Sequence, residues 1–79
     1  MKVRNQKYLD AFGKHLGELL QSKGKTPEEV AAHANIETKQ VYRAINGEHS
    51  PTISITYAIA KGLGVHPKVL FDFEFKDNE

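Results

Sequence analysis

Residues 26–47, TPEEVAAHANIETKQVYRAING, leave this chain few choices of fold. Thr26-Pro27-Glu28-Glu29 is a helix start. Thr26 is a strong N-cap, Pro27 suits the first helical position, and Glu29 stands three residues after the cap, where its carboxylate can bond back. Val30, Ala31 and Ala34 then supply a buried side. Two short helices cross closely only if a small residue lies where their backbones touch, and Ala31 meets that demand. Four residues on, the turn needs a positive backbone angle, which Asn35 tolerates better than most residues. Ile36 plugs the turn, and Val41 with Ala44 and Ile45 turns a second helix inward over 37–46. Glu37 is a poor cap for that helix. Thr38, Lys39, Gln40, Tyr42, Arg43 and Asn46 do not fit a core, so the second helix keeps a polar outer face.

The rest of the chain is punctuated by Gly24, Pro27, Gly47, Pro51, Gly64 and Pro67 into five short pieces. In the first, residues 5–23, Leu9, Phe12, Leu16, Leu19 and Leu20 recur at helical steps, and Gly24 stands where a C-terminal stop belongs. Gly13 and Gly17 weaken that helix, and their spacing suggests a second helix crossing closely there. The fourth piece follows Ser50-Pro51-Thr52. Its opening, ISITY, has the composition of a strand, but Ala58-Ile59-Ala60-Lys61 breaks the alternation and favours a helix ending at Gly64. The fifth is a turn or two from Pro67 to about Phe71. The expectation is an all-α, compact five-helix domain over 1–71 with a short Phe-rich acidic tail, 72–79. From the end of the domain into that tail, Phe71, Phe73 and Phe75 alternate with acids at a strand period.

With 79 residues the chain makes one domain with a thin core, and with no cysteine it has no disulfide or thiolate site to staple it. No apolar run is long enough to span a membrane, and the opening MKVRNQKYLDAF has no apolar signal core, so a cytoplasmic protein is expected. The net charge is +1. Residues 1–25 hold Lys2, Arg4, Lys7, Lys14, Lys23 and Lys25 against Asp10 and Glu18. The tail holds Asp72, Glu74, Asp77 and Glu79 against Lys76, and should lie away from any polyanion. His15, His33, His49 and His66 are scattered without metal-ligand spacing. Ser22, Ser50 and Ser54 lack a nucleophile-base arrangement, and there is no glycine-rich phosphate loop. No enzyme, metal or cofactor is expected.

The opening FGKHLGELLQSKGKTPEEVA, the turn and second helix NIETKQVYRAING, and the downstream PTISITYAIAKGLGVHPKVLF together resemble the phage repressor/Cro-like (XRE) helix-turn-helix family over roughly residues 10–71. Ile59-Ala60-Lys61-Gly62-Leu63-Gly64-Val65 is similar to a common pattern of that family's last two helices. The resemblance implies a second helix laid in a DNA major groove. Thr38, Lys39 and Gln40 then stand at its reading start, with Tyr42 and Arg43 one turn on. Arg and Lys pair best with guanine, Gln with adenine. Asn46 occupies a position that commonly holds a backbone phosphate, and Lys25 is a second phosphate candidate. The family often has Gln at the place of Pro27 and Glu at the place of Ile45, so two polar contacts are missing here. Glu37 and Glu48 flank the reading helix with negative charge.

The function expected is sequence-specific binding of double-stranded DNA by a transcriptional repressor that occupies its operator as a homodimer, with two half-sites about one helical turn apart. Phe71, Phe73 and Phe75 either cover the small core or pair with their copies across a two-fold axis to make the dimer. His49 is expected near the DNA side. A second reading keeps the fold and makes the chain an antitoxin-like module that binds a partner protein.

Overall fold

Each α-helix of this chain is closed by the same local device. In the computed structural model, which describes residues 4–77, the helices are α1 (Gln6–Ser22), α2 (Pro27–Ala34), α3 (Thr38–Ile45) and α4 (Ile53–Leu63), followed by one 3-10 helix, Pro67–Phe71. Just past the end of each α-helix stands a residue with positive φ: Gly24, Asn35, Gly47 and Gly64. The next N–H reaches back five residues to a helical carbonyl: Lys25 to Leu20, Ile36 to Ala31, Glu48 to Arg43 and Val65 to Ala60, at 2.9–3.1 Å. This is the left-handed closure that glycine permits and asparagine tolerates. It turns the chain sharply, so that four helices pack within so few residues.

The starts are less uniform. Asn5, Thr26 and Thr52 each accept a backbone N–H into the side chain, and Thr26 with Glu29 forms a full reciprocal capping box. Glu37 caps nothing. The strand-like ISITY segment is helical. Thr52 caps it, and the Thr56 hydroxyl donates to the Ile53 carbonyl at 2.7 Å, so a β-branched side chain bonds within its own turn.

The core collects the inward stripe of every helix: Leu16 and Leu20 of α1, Val30 and Ala31 of α2, Val41 and Ala44 of α3, Ile59, Ala60 and Leu63 of α4, and Leu70 of the 3-10 helix. Each fully buried Val, Leu or Ile contributes about 1.5–3 kcal/mol. The expected close crossing is at Gly13. A Cβ there would lie 2.7 Å from the Ala44 carbonyl oxygen and collide with that of Ile45, so α3 rests its C-terminal half directly on the α1 backbone. Gly62 plays the same part for α4 against α2, where a Cβ would come within 3.1 Å of the Val30 side chain.

The fifth expected helix is the 3-10 segment. It is tied to α1 by His15, whose Nε2 lies 2.7 Å from the Val69 carbonyl. No strand exists among the described residues, which corrects the strand period read in the tail. Instead the tail returns across α1. Phe73 and Phe75 stack on Tyr8 with ring centroids 5.4 and 5.1 Å apart, and Phe73 also meets His15. The reason lies in α1. Tyr8, Phe12 and His15 form an aromatic seam at helical spacing, and alternate phenylalanines can lay their rings along it without a neighbouring strand. Phe71 packs on Phe12 but stays half exposed. That seam lies on the side of α1 opposite Gly13 and Gly17, so the acidic tail runs away from α3. Lys2 and Glu79, at the two charged ends of the chain, lie outside the described residues.

Candidate nucleic-acid interface

The outer face of α3 can be built from its buried face. Val41 and Ala44 are sealed against the core, so at helical periodicity the opposite direction belongs to Lys39, Tyr42, Arg43 and Asn46, all exposed. Thr38 and Gln40 lie on the two flanks of this stripe and are partly covered. The structure thus brings four of the six predicted α3 residues onto one solvent-facing ridge and sets the other two at its edges.

Each side chain of the ridge has a distinct state. Arg43 has no hydrogen-bond or ion-pair partner among the described residues. Lys39 lies 3.8 Å from the Glu37 carboxylate, with both groups well exposed, so the contact is weak and readily exchanged. The Tyr42 hydroxyl donates to Glu28 of α2 at 2.8 Å. That bond to a carboxylate holds the phenol's pKa above its ordinary value and leans the ring toward α2. The Asn46 amide donates to Glu48 at 3.4 Å. Gln40 faces the loop before α4, where its Oε1 is 3.2 Å from His49 Nε2. Lys25, just before α2, donates from its Nζ to the Gly62 carbonyl of α4 at 3.4 Å.

The end of α3 is gripped from outside by residues that sequence reasoning missed. Gln6 Nε2 donates to the Gly47 carbonyl at 2.8 Å and to Asp10 at 2.8 Å. The Arg4 guanidinium donates to the Glu48 carbonyl at 3.1 Å and is steadied by Gln6 Oε1 at 2.8 Å. Gly47 accepts this grip because it has φ +68° and because any Cβ there would run into the Asp10 carboxylate. The only sequence signal was the polar, basic character of the segment before α1, which named no partner. The α2 start, by contrast, is where its local chemistry places it. Its backbone bond from Thr26 N–H to the Glu29 carboxylate, 2.8 Å long, lowers the Glu29 pKa.

This is an arrangement suited to docking on a surface. No cluster of potential metal ligands occurs among the described residues, and none of their helices is long and apolar enough to cross a membrane. Lys39 and Arg43 of α3 and Asn46 at its end offer hydrogen-bond donors, and α1 and α2 brace the helix from behind. A ridge of this kind fits the width of a major groove.

Comparison with known proteins agrees with this geometry. A helix-turn-helix family model matches residues 16–70. No curated protein matches the chain. Among solved structures, the restriction-modification controller protein C.AhdI from Aeromonas hydrophila superposes with a TM-score of 0.77 at 26% identity, covering 81% of this chain and 97% of that one. The family match spans most of the chain and contains α2, the turn and α3 whole. The chain therefore belongs to the phage repressor/Cro-like (XRE) helix-turn-helix family of DNA-binding transcription regulators.

Proposed function

We propose that the protein is a sequence-specific repressor that acts by occupying its operator as a homodimer. The observation that carries this reading is the exposed ridge of Lys39, Tyr42, Arg43 and Asn46 on a helix otherwise fixed to the core. Lys39 and Arg43 are its base readers. Thr38 and Gln40 reach in from the flanks, and Tyr42 contributes its ring edge. Asn46 binds phosphate beyond the helix end. Lys25 stands just before α2 and binds phosphate only after leaving the Gly62 carbonyl. The likeness to a restriction-modification controller protein supports a regulatory role.

Dimerisation is supported by apolar surface left bare. Ile53 is 89% exposed and Tyr57 56% exposed, one turn apart on α4, and Phe71 is 47% exposed. Phe73 and Phe75 are engaged with Tyr8, while Phe71, though packed on Phe12, keeps the exposed edge with which the Phe-rich segment would meet a second copy. The same bare residues favour the second reading, a partner protein, because an apolar edge does not distinguish a copy from another chain.

The deciding measurement is binding to the DNA upstream of the protein's own gene, at two salt concentrations, with unrelated DNA as competitor. Salt-sensitive binding that survives competition is expected, and its slope counts the phosphates neutralised. Binding abolished by the competitor would transfer the function to a protein partner. Molar mass by light scattering of the wild type and of Ile53→Asp/Tyr57→Asp tests the dimer, which the double substitution should dissociate.

A further inference from the structure

The family reading gives Gln40, on the flank of α3, a place at the groove but leaves its neighbour His49, in the loop after α3, without a role. Their ring and amide meet at 3.2 Å from Nε2 to Oε1. The pair is nine residues apart in sequence and spans the end of α3. The other ring nitrogen, Nδ1, is buried and has no hydrogen-bond partner among the described residues. The whole hydrogen-bonding capacity that the imidazole shows within the protein is therefore spent through Nε2 on Gln40. A histidine kept only for packing would not need to face an amide, and one kept for solvent contact would not bury a nitrogen.

We infer that His49 is a positioning residue for base reading. Its Nε2–H holds the Gln40 carbonyl oxygen, and the Gln40 amide N–H₂ is thereby presented at the edge of the ridge beside Arg43. The inference rests on the DNA-reading function proposed for α3. A free glutamine surrenders rotamer entropy when it docks on a base edge. One already tethered by a neighbour has less to lose, so its selectivity rises without any new contact to DNA. The oxygen keeps a second lone pair, so the tethered amide can still pair in the two-bond manner with adenine. The arrangement also answers a gap in the sequence. Pro27 has no side-chain donor to offer the reading helix from the α2 side, and His49 supplies one from the α4 side.

The test is a double-substitution cycle on the full chain. Preferred duplexes are first selected from a random DNA library with the wild-type protein. Wild type, Gln40→Ala, His49→Ala and the double variant are then titrated with the selected duplex and with a scrambled one, and each variant repeats the selection. His49→Ala is expected to weaken the selected duplex by about three- to tenfold, the worth of one ordinary hydrogen bond, and to leave the scrambled duplex unchanged. That loss should vanish in the Gln40→Ala background, and both single variants should relax preference at the same base position. His49→Gln, which restores an N–H donor, should recover most of the affinity and guards against a folding defect in the alanine variant. Equal losses on both duplexes, or a His49→Ala loss that persists without Gln40, would overturn the assignment and make His49 a phosphate or scaffold residue. A library that enriches no sequence with the wild type would overturn base reading itself, and this role with it.

Discussion

α2 and α3 have the same length, eight residues each, and are held by opposite means. α2 is secured by its own sequence. A capping box closes its start, Pro27 presets its first turn, and Asn35 closes its end. α3 has no side-chain cap at its start. Its support comes from elsewhere: Gly13 of α1 beneath its last turn, Gln6 and Arg4 on the carbonyls just past its end, and His49 against its flank. Helices this short are not stable alone. The difference teaches where each can spend its polar groups. α2 uses Thr26 and Glu29 on its own start. α3 borrows its support, so its own Lys39, Arg43 and Asn46 remain for a partner.

The comparison breaks most violently if the support behind α3 is removed. Gly13→Ala puts a Cβ 2.7 Å from the Ala44 carbonyl, and neither backbone can yield cheaply. A loss of about 3 kcal/mol is expected, at the upper end of overpacking costs. Urea unfolding monitored by circular dichroism measures it, and a change under about 0.5 kcal/mol, the usual scale of a neutral surface change, would mean the helices are not so tightly crossed. Next in size is the ridge itself. Arg43→Ala and Lys39→Ala should each weaken specific DNA binding by about 1–3 kcal/mol while leaving thermal stability near wild type. Unaltered affinity in both variants would remove α3 from the interface.

The legibility of the fold in the amino-acid sequence divides along the same line. The α2 unit is legible because its rules are local. Thr26, Pro27, Glu29, Ala31 and Asn35 act on neighbours within five residues, and each stands where its chemistry requires. The helical outcome for ISITY is legible from the Ala58-Ile59-Ala60-Lys61 run behind it, with Thr52 as its cap. The α3 ridge is legible as a set of residues that cannot be core, but not in its internal order. Sequence position makes Gln40 a forward contact, while the fold turns it to His49. Arg4 and Gln6 register only as charge and polarity, because their acceptors lie more than forty residues away. The tail is misread for a related reason. Alternating phenylalanines satisfy a strand and a helical aromatic seam equally well, and only the position of Tyr8 in space decides between them.

Smaller substitutions sharpen the contrast between the two starts. Thr26→Ala removes one half of the capping box and should cost about 1 kcal/mol. Glu37→Ser does the reverse for α3. It installs a hydroxyl where none caps the helix now and removes the carboxylate 3.8 Å from Lys39. The protein should gain about 0.5 kcal/mol of stability, the low end of capping effects, and DNA binding should tighten because Lys39 no longer has to leave an anion. If Glu37→Ser instead lowers stability, the start of α3 is held by something other than the helix itself.

The smallest effect is one of pH, and it isolates the capping box without changing a residue. The Thr26 backbone N–H donates to the Glu29 carboxylate and holds its pKa below the ordinary glutamate value of 4.5. The desolvation that accompanies folding acts in the other direction and is the weaker influence. A carboxyl group depressed in the folded state stabilises fully above its unfolded pKa, and that stability is lost as pH falls through the folded value. Acidification from about pH 5 downward, the range just above an unperturbed glutamate, should therefore loosen the α2 start first. Carboxyl chemical shifts followed by NMR would show Glu29 titrating below the ordinary glutamate value. Glu29→Gln should flatten that part of the stability profile while retaining a side chain able to accept from Thr26. Titration of Glu29 at the ordinary glutamate value would mean that the box is open in solution. α2 would then depend on its neighbours as α3 does, and the distinction between the self-capped helix and the borrowed one would disappear.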